Sequence, residues 1–357
     1  MSKKPSGEPL LNPNIKILLK GKALSPELEA DFVSVKVSED LEAPSMFELK
    51  FVTWDLEKQQ FTWIDKEVFE LGNTVEIKMG YENNLETVIV GEITGLEPEF
   101  SQDTTPMLLV RGHDLRHRLL RGRQTKSFTK MKDSDIVSQI AKGKGLTPKV
   151  EDTKAKLEYV LQHNQTDWEF LQERAARLGY EVAVDNKTLY FRPPDNGEQK
   201  LFTITYGDDL QDFQPRLSTM NQVEEVQVQG WLPQEKKTVL AKAGAGKEGN
   251  KMGGSTSGAK EVQKAFGKSS ETIVNQAVSS KAEADKMSLG QFREGLLDYI
   301  TGEGTCQGYP NLRAGKVIEI AGVSKKFSGL YYLMTVEHFY SESQGYQTSF
   351  TVRRNAT

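Results

Sequence analysis

The chain has very little cysteine and histidine. Its 357 residues include one cysteine, Cys306, and four histidines. A single cysteine excludes an intrachain disulfide and a metal site built from several thiolates. Cys306 lies at the edge of an apolar segment, which favours a small buried side chain over a reactive thiol.

The chain also lacks a long apolar run and a large charge of one sign. No stretch approaches the roughly 20 apolar residues needed to span a bilayer, and residues 1–9 have no apolar signal-peptide core. We therefore expect synthesis in the cytoplasm, without a signal peptide, and no membrane span. Lys and Arg number 46 and Asp and Glu number 50, for a net charge of −4, so nothing in the overall charge favours nucleic acid.

One basic stretch stands out between residues 116 and 132. Its only aromatic residue is Phe128, whereas stacking of bases needs aromatic platforms. We interpret the stretch as solvated or facing another subunit, and we expect no specific nucleic-acid binding. The basic residues are Arg116, Arg118, Arg121, Arg123, Lys126, Lys130 and Lys132.

Hydrophobic patterning predicts a mainly β fold with α+β insertions. Residues 12–112 consist of short strands separated by turns, which is typical of a barrel or sandwich. Residues 113–200 combine helices and strands in a small α/β domain. Residues 201–242 and 305–357 are again rich in strands and are interpreted as a second, discontinuous β-barrel. The prediction is thus two tandem β-barrels, with residues 1–11 as a flexible arm.

The second barrel is interrupted by residues 243–304. Residues 243–259 contain six glycines and no aromatic residue, a composition that predicts a flexible loop. The pattern from Lys260 to about Thr301 is helical. We therefore expect a glycine-rich loop followed by a helical insertion.

Two strand-rich segments resemble each other. Aligning Gly72 with Gly315 puts Val75-Glu-Ile77 on Ile318-Glu-Ile320, and Val88, Val90 and Ile93 on Tyr331, Leu333 and Val336. The alignment indicates a duplicated barrel. Because closed cyclic symmetry is the default for homo-oligomers, three chains would give six similar barrels around one axis.

Motifs for catalysis are incomplete. Residues 244–249 fit the dinucleotide pattern G-x-G-x-x-G, but no helix start follows to hold a pyrophosphate. His113 and His117 lack the further ligands of a zinc site. Nothing places the carboxylate pairs at 208–209 and 224–225 across one substrate. We predict no catalytic, cofactor-binding or metal-binding residues, no cofactor and no enzymatic activity.

Residues 164–180 form a well-delimited helix pattern. Thr166 is a good N-cap, and Glu169 completes a capping box. Gly179 is the expected left-handed end of the helix. The apolar stripe is formed by Trp168, Leu171, Ala175 and Leu178.

This helix resembles the signature of the phage late control gene D family, through Asn164, Thr166, Asp167, Phe170, Leu171, Ala175 and Gly179. Further similarity to that family lies at the C-terminus. The matching segments there are Gly308-Tyr-Pro-Asn-Leu-Arg-Ala-Gly315, Phe327-Ser-Gly-Leu-Tyr331, Val336-Glu-His338 and Gly345-Tyr-Gln-Thr-Ser-Phe350. The resemblance covers roughly residues 12–357.

The resemblance implies a baseplate hub of a contractile injection machine, similar to the hub part of type VI secretion VgrG spike proteins. Such a hub is a homotrimer that adapts a threefold spike to a sixfold inner tube and lines the central channel. The chain ends shortly after the last motif, so we expect a separate spike protein, hexameric tube or tube-initiator proteins and other baseplate components as partners. The expected location is the baseplate of a phage tail, tailocin or injection particle.

Two other functions stay open from the sequence. One is a tail-associated peptidoglycan hydrolase on a β-rich scaffold. The other is a nucleic-acid-binding barrel protein, which would show salt-dependent affinity.

Overall fold

The computed structural model describes residues 12–194, 199–232, 235–274, 276, 278 and 280–357. The predicted flexible arm, residues 1–11, lies outside the described residues. The fold is mainly β, as predicted. Among the described residues, no helix combines the length and apolar character that crossing a bilayer requires.

The strands are between 2 and 16 residues long. They are β1 (Pro13–Leu19), β2 (Lys22–Ala23), β3 (Phe32–Asp40), β4 (Met46–Val52), β5 (Trp54–Asp55), β6 (Gln60–Phe61), β7 (Thr74–Tyr81), β8 (Asn84–Glu99), β9 (Met107–Asp114), β10 (Gln124–Lys132), β11 (Thr147–Val150), β12 (Lys156–Gln165), β13 (Glu181–Asp185), β14 (Thr188–Arg192), β15 (Lys200–Thr205), β16 (Leu210–Leu217), β17 (Glu225–Leu232), β18 (Lys237–Gly244), β19 (Ser270–Ile273), β20 (Ile300–Gln307), β21 (Val317–Ala321), β22 (Gly329–Ser341) and β23 (Gly345–Arg354).

The helices lie between these strands. They are α1 (Pro26–Ala30), α2 (Asp133–Gly143), α3 (Asp167–Leu178), α4 (Gly258–Phe266) and α5 (Lys281–Leu297), with a 3-10 helix at Leu115–Leu119.

Most strands of the two predicted barrels belong to one 13-stranded sheet. Its order is β16-β20-β23-β22-β3-β4-β9-β8-β7-β1-β2, with β21 paired to β22 and β15 paired to β21. All pairs are antiparallel except β15 with β21. The sheet contains two five-strand units with the same internal order: β3-β4-β9-β8-β7 in the first unit and β16-β20-β23-β22-β21 in the second.

The two units have equivalent hydrogen bonds as well as the same strand order. The Gly72 amide donates to the Ile93 carbonyl at 2.8 Å, and the Ile93 amide donates to the Asn73 carbonyl at 2.9 Å. In the second unit, Gly315 donates to Leu333 at 2.8 Å and Leu333 donates to Lys316 at 2.9 Å. Both glycines have positive φ, 86° and 78°, which glycine adopts without steric cost.

A β-bulge follows in each unit at the same place. The register shifts between Ile93 and Gly95 in β8, and between Leu333 and Thr335 in β22. Ile93 is therefore the counterpart of Leu333. The sequence alignment, which put Ile93 on Val336, is wrong for this strand.

The reason for the misalignment is the length of one hairpin. Val75 and Ile318 do correspond, because each occupies the second position of its strand. However, Ile77 pairs with Ile89, whereas Ile320 pairs with Gly329, so the second hairpin is three residues shorter. A gap at the turn restores the alignment.

Separate apolar cores lie behind the sheet and in the α/β region. The first unit packs around Val35, Phe47 and Ile77, and the second around Ile318 and Tyr331. Residues 113–200 have a core of their own, in which α2 and α3 pack against β12 and β14; its members include Ile136, Val160, Leu171 and Phe191.

Strands β17 and β18 do not join the second unit, contrary to their assignment to the second barrel. They form a three-stranded sheet with β19, in the order β18-β17-β19. Helix α5 covers this sheet through Ala284 and Met287, which pack against Val228 and Val239. The division of the chain into domains otherwise stays a prediction.

The segment 243–304 is not simply a loop and helices. Gly267, with φ 83°, ends α4, and Ser270–Ile273 then adds a parallel strand to β17. Ile300 belongs to strand β20 of the large sheet rather than to a helix. The helical interpretation is therefore correct for α4 and α5 and wrong for Ile273 and Ile300.

The glycine-rich segment is packed, whereas a flexible loop was expected. The Met252 side chain is fully buried. The amides of Ser255 and Thr256 donate to the Thr357 carbonyl at 2.7 and 3.1 Å. A Cβ at Gly254 would lie 2.7 Å from the Cβ of Ala356. Glycine here permits close approach to the C-terminal residues that follow β23, which composition alone does not reveal.

Helices α3 and α5 meet at two glycines. A Cβ at Gly290 would lie 2.6 Å from the Cα and the N of Gly179, whereas a Cβ at Gly295 in the same helix would meet nothing within 4 Å. We expect Gly290→Ala to lower the free energy of unfolding by about 1–3 kcal/mol, because the contact is with backbone that cannot move aside.

Gly295→Ala is the matched control. It should leave stability unchanged or raise it by up to about 1 kcal/mol, because alanine favours the helix. Urea unfolding of both variants measures the difference. Equal stabilities for the two variants would contradict the close contact between α3 and α5.

Candidate functional site

The glycine motif at residues 244–249 has no place for a phosphate. Strand β18 ends at Gly244, and the next helix begins only at Gly258. The Glu248 carboxylate accepts the Gly246 amide at 2.9 Å and the Ser257 hydroxyl at 2.8 Å. The Gly246 amide, which a bound anion would need as a donor, is thus already hydrogen bonded to a carboxylate of the chain.

The histidines near residue 115 make separate contacts. His117 Nε2 lies 2.8 Å from a Glu92 oxygen, and His113 Nδ1 lies 2.7 Å from the Thr94 hydroxyl. Burial is the largest cause that lowers the pKa of His113. No group of three or more His, Cys, Asp or Glu side chains that could hold a metal ion occurs in the described part of the chain.

The carboxylate pairs are also divided among different partners. Asp209 is buried and accepts the Tyr309 hydroxyl at 2.9 Å. Glu224 accepts the Gln263 amide at 2.6 Å, and Glu225 accepts Lys242 Nζ at 3.1 Å. These contacts stabilise neighbouring segments and do not direct two carboxyl groups at one cleft.

The basic stretch is largely paired within the chain. Arg118 binds Glu92, Arg123 Nη2 lies 2.5 Å from Glu169, and Lys132 lies 2.9 Å from Asp152. Arg116 is buried and donates to Asp114 at 2.7 Å. The interpretation of this stretch as solvated is therefore wrong for Arg116.

The signature helix α3 has the predicted ends. Thr166 and Glu169 form a capping box, and Gly179 ends the helix in the left-handed region. Trp168, Leu171 and Ala175 are buried, while Leu178 is partly buried against the same core. The residues of the motif therefore hold the α/β region together.

An additional buried ion pair was not found by sequence analysis. Arg174 donates to both oxygens of Asp133 at 2.6 and 3.0 Å, linking α3 to the start of α2. The only signal in the sequence was a charged residue on the buried side of a helix pattern. Charge on that side is consistent with an internal partner.

The C-terminal motifs converge on His338. Its Nε2 lies 3.0 Å from the Leu312 carbonyl, and its Nδ1 lies 2.9 Å from the Tyr346 hydroxyl and 3.2 Å from that of Thr348. The Thr348 hydroxyl also accepts the Tyr309 amide at 3.0 Å. Three motifs that are distant in sequence thus form one buried hydrogen-bond network.

This network is neutral at physiological pH. His338 is fully buried, and burial, followed by the nearby Arg313 charge, lowers its pKa to about 3. A neutral imidazole can donate through Nε2 to Leu312 and accept at Nδ1. The arrangement satisfies the polar atoms of a buried histidine in the core.

Contacts beside this network join the two five-strand units. Arg313 forms an ion pair with buried Glu39 of β3 and donates to the Thr87 carbonyl at 3.2 Å. The Tyr81 hydroxyl donates to the Gly308 carbonyl at 3.0 Å. The C-terminal motifs therefore connect β21 and its neighbours to the first unit.

An exposed aromatic cluster lies beside the end of β8. Phe100, just beyond β8, is 61% exposed and packs edge-on against Phe61, with ring centres 5.3 Å apart. Phe61 in turn contacts Trp54 at 5.0 Å. Exposed aromatic clusters of this kind are typical of protein interfaces.

The chain was compared with known families, curated proteins and solved structures. The family model described as the Alg8 N-terminal domain matches residues 11–342. No curated protein matches the chain. Solved structures with the same fold include the prophage MuSo2 43 kDa tail protein from Shewanella oneidensis, at a TM-score of 0.72 and 15% identity, with 96% of this chain and 98% of that chain covered.

Two other solved structures are similar. A tail protein from Neisseria meningitidis MC58 has a TM-score of 0.69 and 14% identity, with 96% and 97% of the two chains covered. An E. coli protein described as a component of the type VI secretion system has a TM-score of 0.61 and 15% identity, with 96% of this chain and 77% of that chain covered. The chain therefore has the fold of phage tail proteins.

Protonation of His338 should make stability depend on pH. An unfolded histidine takes up a proton below about pH 6.5, whereas buried His338 does not until about pH 3. Its contribution is therefore intact above about pH 6.5 and is lost as the pH falls towards 3. Between pH 7 and pH 5, we expect a loss of about 2 kcal/mol from this residue.

The measurement is urea unfolding at pH 7 and pH 5 for the natural chain and for His338→Gln. The variant should be less stable at pH 7 but should lose less stability on acidification. His163 is exposed, so His163→Gln should keep the natural pH dependence. The same pH dependence in all three proteins would contradict a buried neutral His338.

Proposed function

The chain belongs to the Alg8 N-terminal domain family and has a phage tail fold, and on this premise we propose that it is a structural subunit of a tail or baseplate assembly. The observation that carries the proposal is the pair of five-strand units with one strand order in a single chain. Fold likeness to tail proteins supports the same role.

More specifically, we propose a trimeric hub. Three copies would contain six similar units, so a ring with threefold symmetry would present six similar surfaces. One face could then bind a threefold spike and the other a sixfold inner tube, with the channel between them. The motif resemblance to late control gene D proteins supports this function, and we propose that the hub works in a contractile machine together with a spike protein.

The proposal includes a non-enzymatic role. The buried networks around His338 and α3 hold strands and helices in place, and the carboxylates with described contacts are divided among structural partners. Shape and complementary surfaces are what an adaptor between two symmetries requires.

Sedimentation equilibrium tests the trimer. We expect a mass three times the chain mass of 40.0 kDa at micromolar concentration, because an obligate ring buries large interfaces. Gly295→Ala, which changes no proposed interface, is a suitable control for handling. A monomer over the whole concentration range, with or without the spike and tube proteins, would contradict the hub.

A zymogram on peptidoglycan tests the hydrolase alternative. We expect no clearing by the purified chain at loads where an established muramidase clears fully. Clearing that disappears when a single carboxylate is replaced by its amide would overturn the non-enzymatic role.

Titration with DNA tests the nucleic-acid alternative. We expect no binding at physiological salt, because Arg116, Arg118, Arg123 and Lys132 are engaged by carboxylates within the chain. Affinity that rises steeply as salt is lowered and disappears in variants of Lys126 and Lys130 would favour that alternative.

A further inference from the structure

The junction between the two units within one chain is a strand pair. The second half of β22 pairs with β3 in antiparallel register, from Thr335 opposite Asp40 to Ser341 opposite Ser34. The same residues of β22 pair with β23 on their other edge. The edge of β22 that faces away from β23, called its outer edge below, therefore joins the second unit to the first.

The first unit has a counterpart of this outer edge. Since Ile93 corresponds to Leu333, and Gly95 pairs with Arg111 as Thr335 pairs with Thr351, residues 95–101 correspond to residues 335–341. Gly95–Glu99 pairs with β9 on one side. On the other side, no described strand pairs with it.

The second unit has a counterpart of β3. β16 pairs with β20 as β3 pairs with β4, and each pairing contains the same bulge. Phe32 and Ser34 flank the bulge in β3, and Leu210 and Asp212 flank it in β16. Residues 212–218 therefore correspond to residues 34–40. β16 is the end strand of the large sheet among the described residues.

We propose that residues 95–101 of one copy pair with residues 212–218 of a neighbouring copy, in the register that β22 and β3 use within the chain. This inference rests on the proposed trimeric hub and specifies its interface. Gly95 lies opposite Ser218, Glu97 opposite Arg216, and Glu99 opposite Gln214. Repeated three times, the pairing closes a ring in which every junction between units has the same geometry.

One face of the proposed strand pair is apolar on both sides. Leu96 lies opposite Leu217, and Phe100 lies opposite Phe213. Phe100 is 61% exposed in the isolated chain, whereas its counterpart Tyr340 stacks on Phe32, with ring centres 6.5 Å apart. A neighbouring copy would cover Phe100 as the chain itself covers Tyr340.

The other face carries complementary charge. Glu97, whose carboxylate also lies 2.7 Å from Arg111 Nη1, is opposite Arg216. Arg216 is exposed and has no ion-pair partner in the part of the chain that the structure describes. Within the chain, the counterpart of Glu97 is Glu337, which accepts the Ser38 hydroxyl at 3.0 Å and lies 3.8 Å from Lys36 Nζ. An acidic residue on this strand thus has a polar or basic neighbour in both junctions.

Two prolines reduce the number of backbone hydrogen bonds that the proposed strand pair can form. Pro98 lies opposite Pro215, and neither residue has an amide hydrogen. The Leu41 amide bonds the Met334 carbonyl within the chain, so by alternation His338 with Val37, and their counterparts Pro98 with Pro215, occupy hydrogen-bonded positions. The junction therefore lacks the two backbone bonds of this pair, and the strands lie further apart there to admit the two rings. The backbone bonds of the interface must therefore come from positions on either side, such as Leu96 and Phe100.

Cysteine cross-linking tests the register. The Leu41 amide donates to the Met334 carbonyl at 3.2 Å, so Leu41 and Met334 form a hydrogen-bonded pair. Hydrogen-bonded and non-hydrogen-bonded pairs alternate along an antiparallel ladder, so Glu337 and Ser38, three positions along, form a non-hydrogen-bonded pair. The same holds for its counterpart, Glu97 with Arg216, whose Cα atoms should lie about 4.5 Å apart, within disulfide range. The double variant Glu97→Cys with Arg216→Cys should form a covalent trimer on oxidation and run as such without reductant.

The matched control moves one cysteine four residues along the same face. Glu97→Cys with Asp212→Cys separates the thiols by roughly 13 Å in the proposed register and should remain uncross-linked. The natural Cys306 is buried, so each single variant should also stay uncross-linked. Equal cross-linking in the two double variants, or none in either, would overturn the proposed register.

A charge reversal gives an independent measurement. Arg216→Glu places two acidic residues opposite each other, so the trimer should dissociate at a protein concentration higher by on the order of fivefold or more. Lys187→Glu, at an exposed turn of the α/β region, should not change dissociation. Equal dissociation of the two variants would count against the interface.

The outcomes separate the interface from the hub. A trimer by sedimentation that fails to cross-link through residues 97 and 216 would refute this register and leave the hub intact. A monomer that fails to cross-link would refute both.

Discussion

The pairing of β22 with β3 is the interaction on which the rest of the structure depends. β22 is hydrogen bonded along both edges of its second half, to β23 and to β3. Without that pairing, the two five-strand units would be separate sheets, joined by the chain and by a few side-chain contacts such as Arg313 with Glu39. With it, they form one sheet in which each unit keeps the same strand order and the same bulges. The proposed contact between copies has the geometry of this junction.

Buried polar groups stabilise this junction and explain the C-terminal motifs. His338, Tyr346 and Thr348 satisfy one another next to the Glu39–Arg313 ion pair. Removing one partner from such a network leaves a buried group without its hydrogen bond, which costs more than the bond contributes when intact. The motif residues are therefore explained by packing and hydrogen bonding at the junction, and catalysis is not needed to account for them.

The sequence signals that predicted structure correctly were local. The capping box, the apolar stripe and the left-handed Gly179 of α3 follow from residues within one helix, and all three were predicted correctly. The glycine at the start of each meander was also found. Its partner strand was misaligned, since a hairpin shorter by three residues displaces every later residue. Tyr331, Tyr332 and Leu333 are all buried, so strict alternation does not mark the register of β22 there.

The sequence by itself determined the mainly β class, the ends of the signature helix and the presence of two similar meanders, because each depends on neighbouring residues. Only the tertiary structure decided that strands β17 and β18 lie outside the large sheet, that the glycine-rich segment packs on the C-terminus, and that β22 pairs with β3. These features depend on contacts between segments distant in sequence, and a period of two residues along a strand does not specify which strand lies beside it.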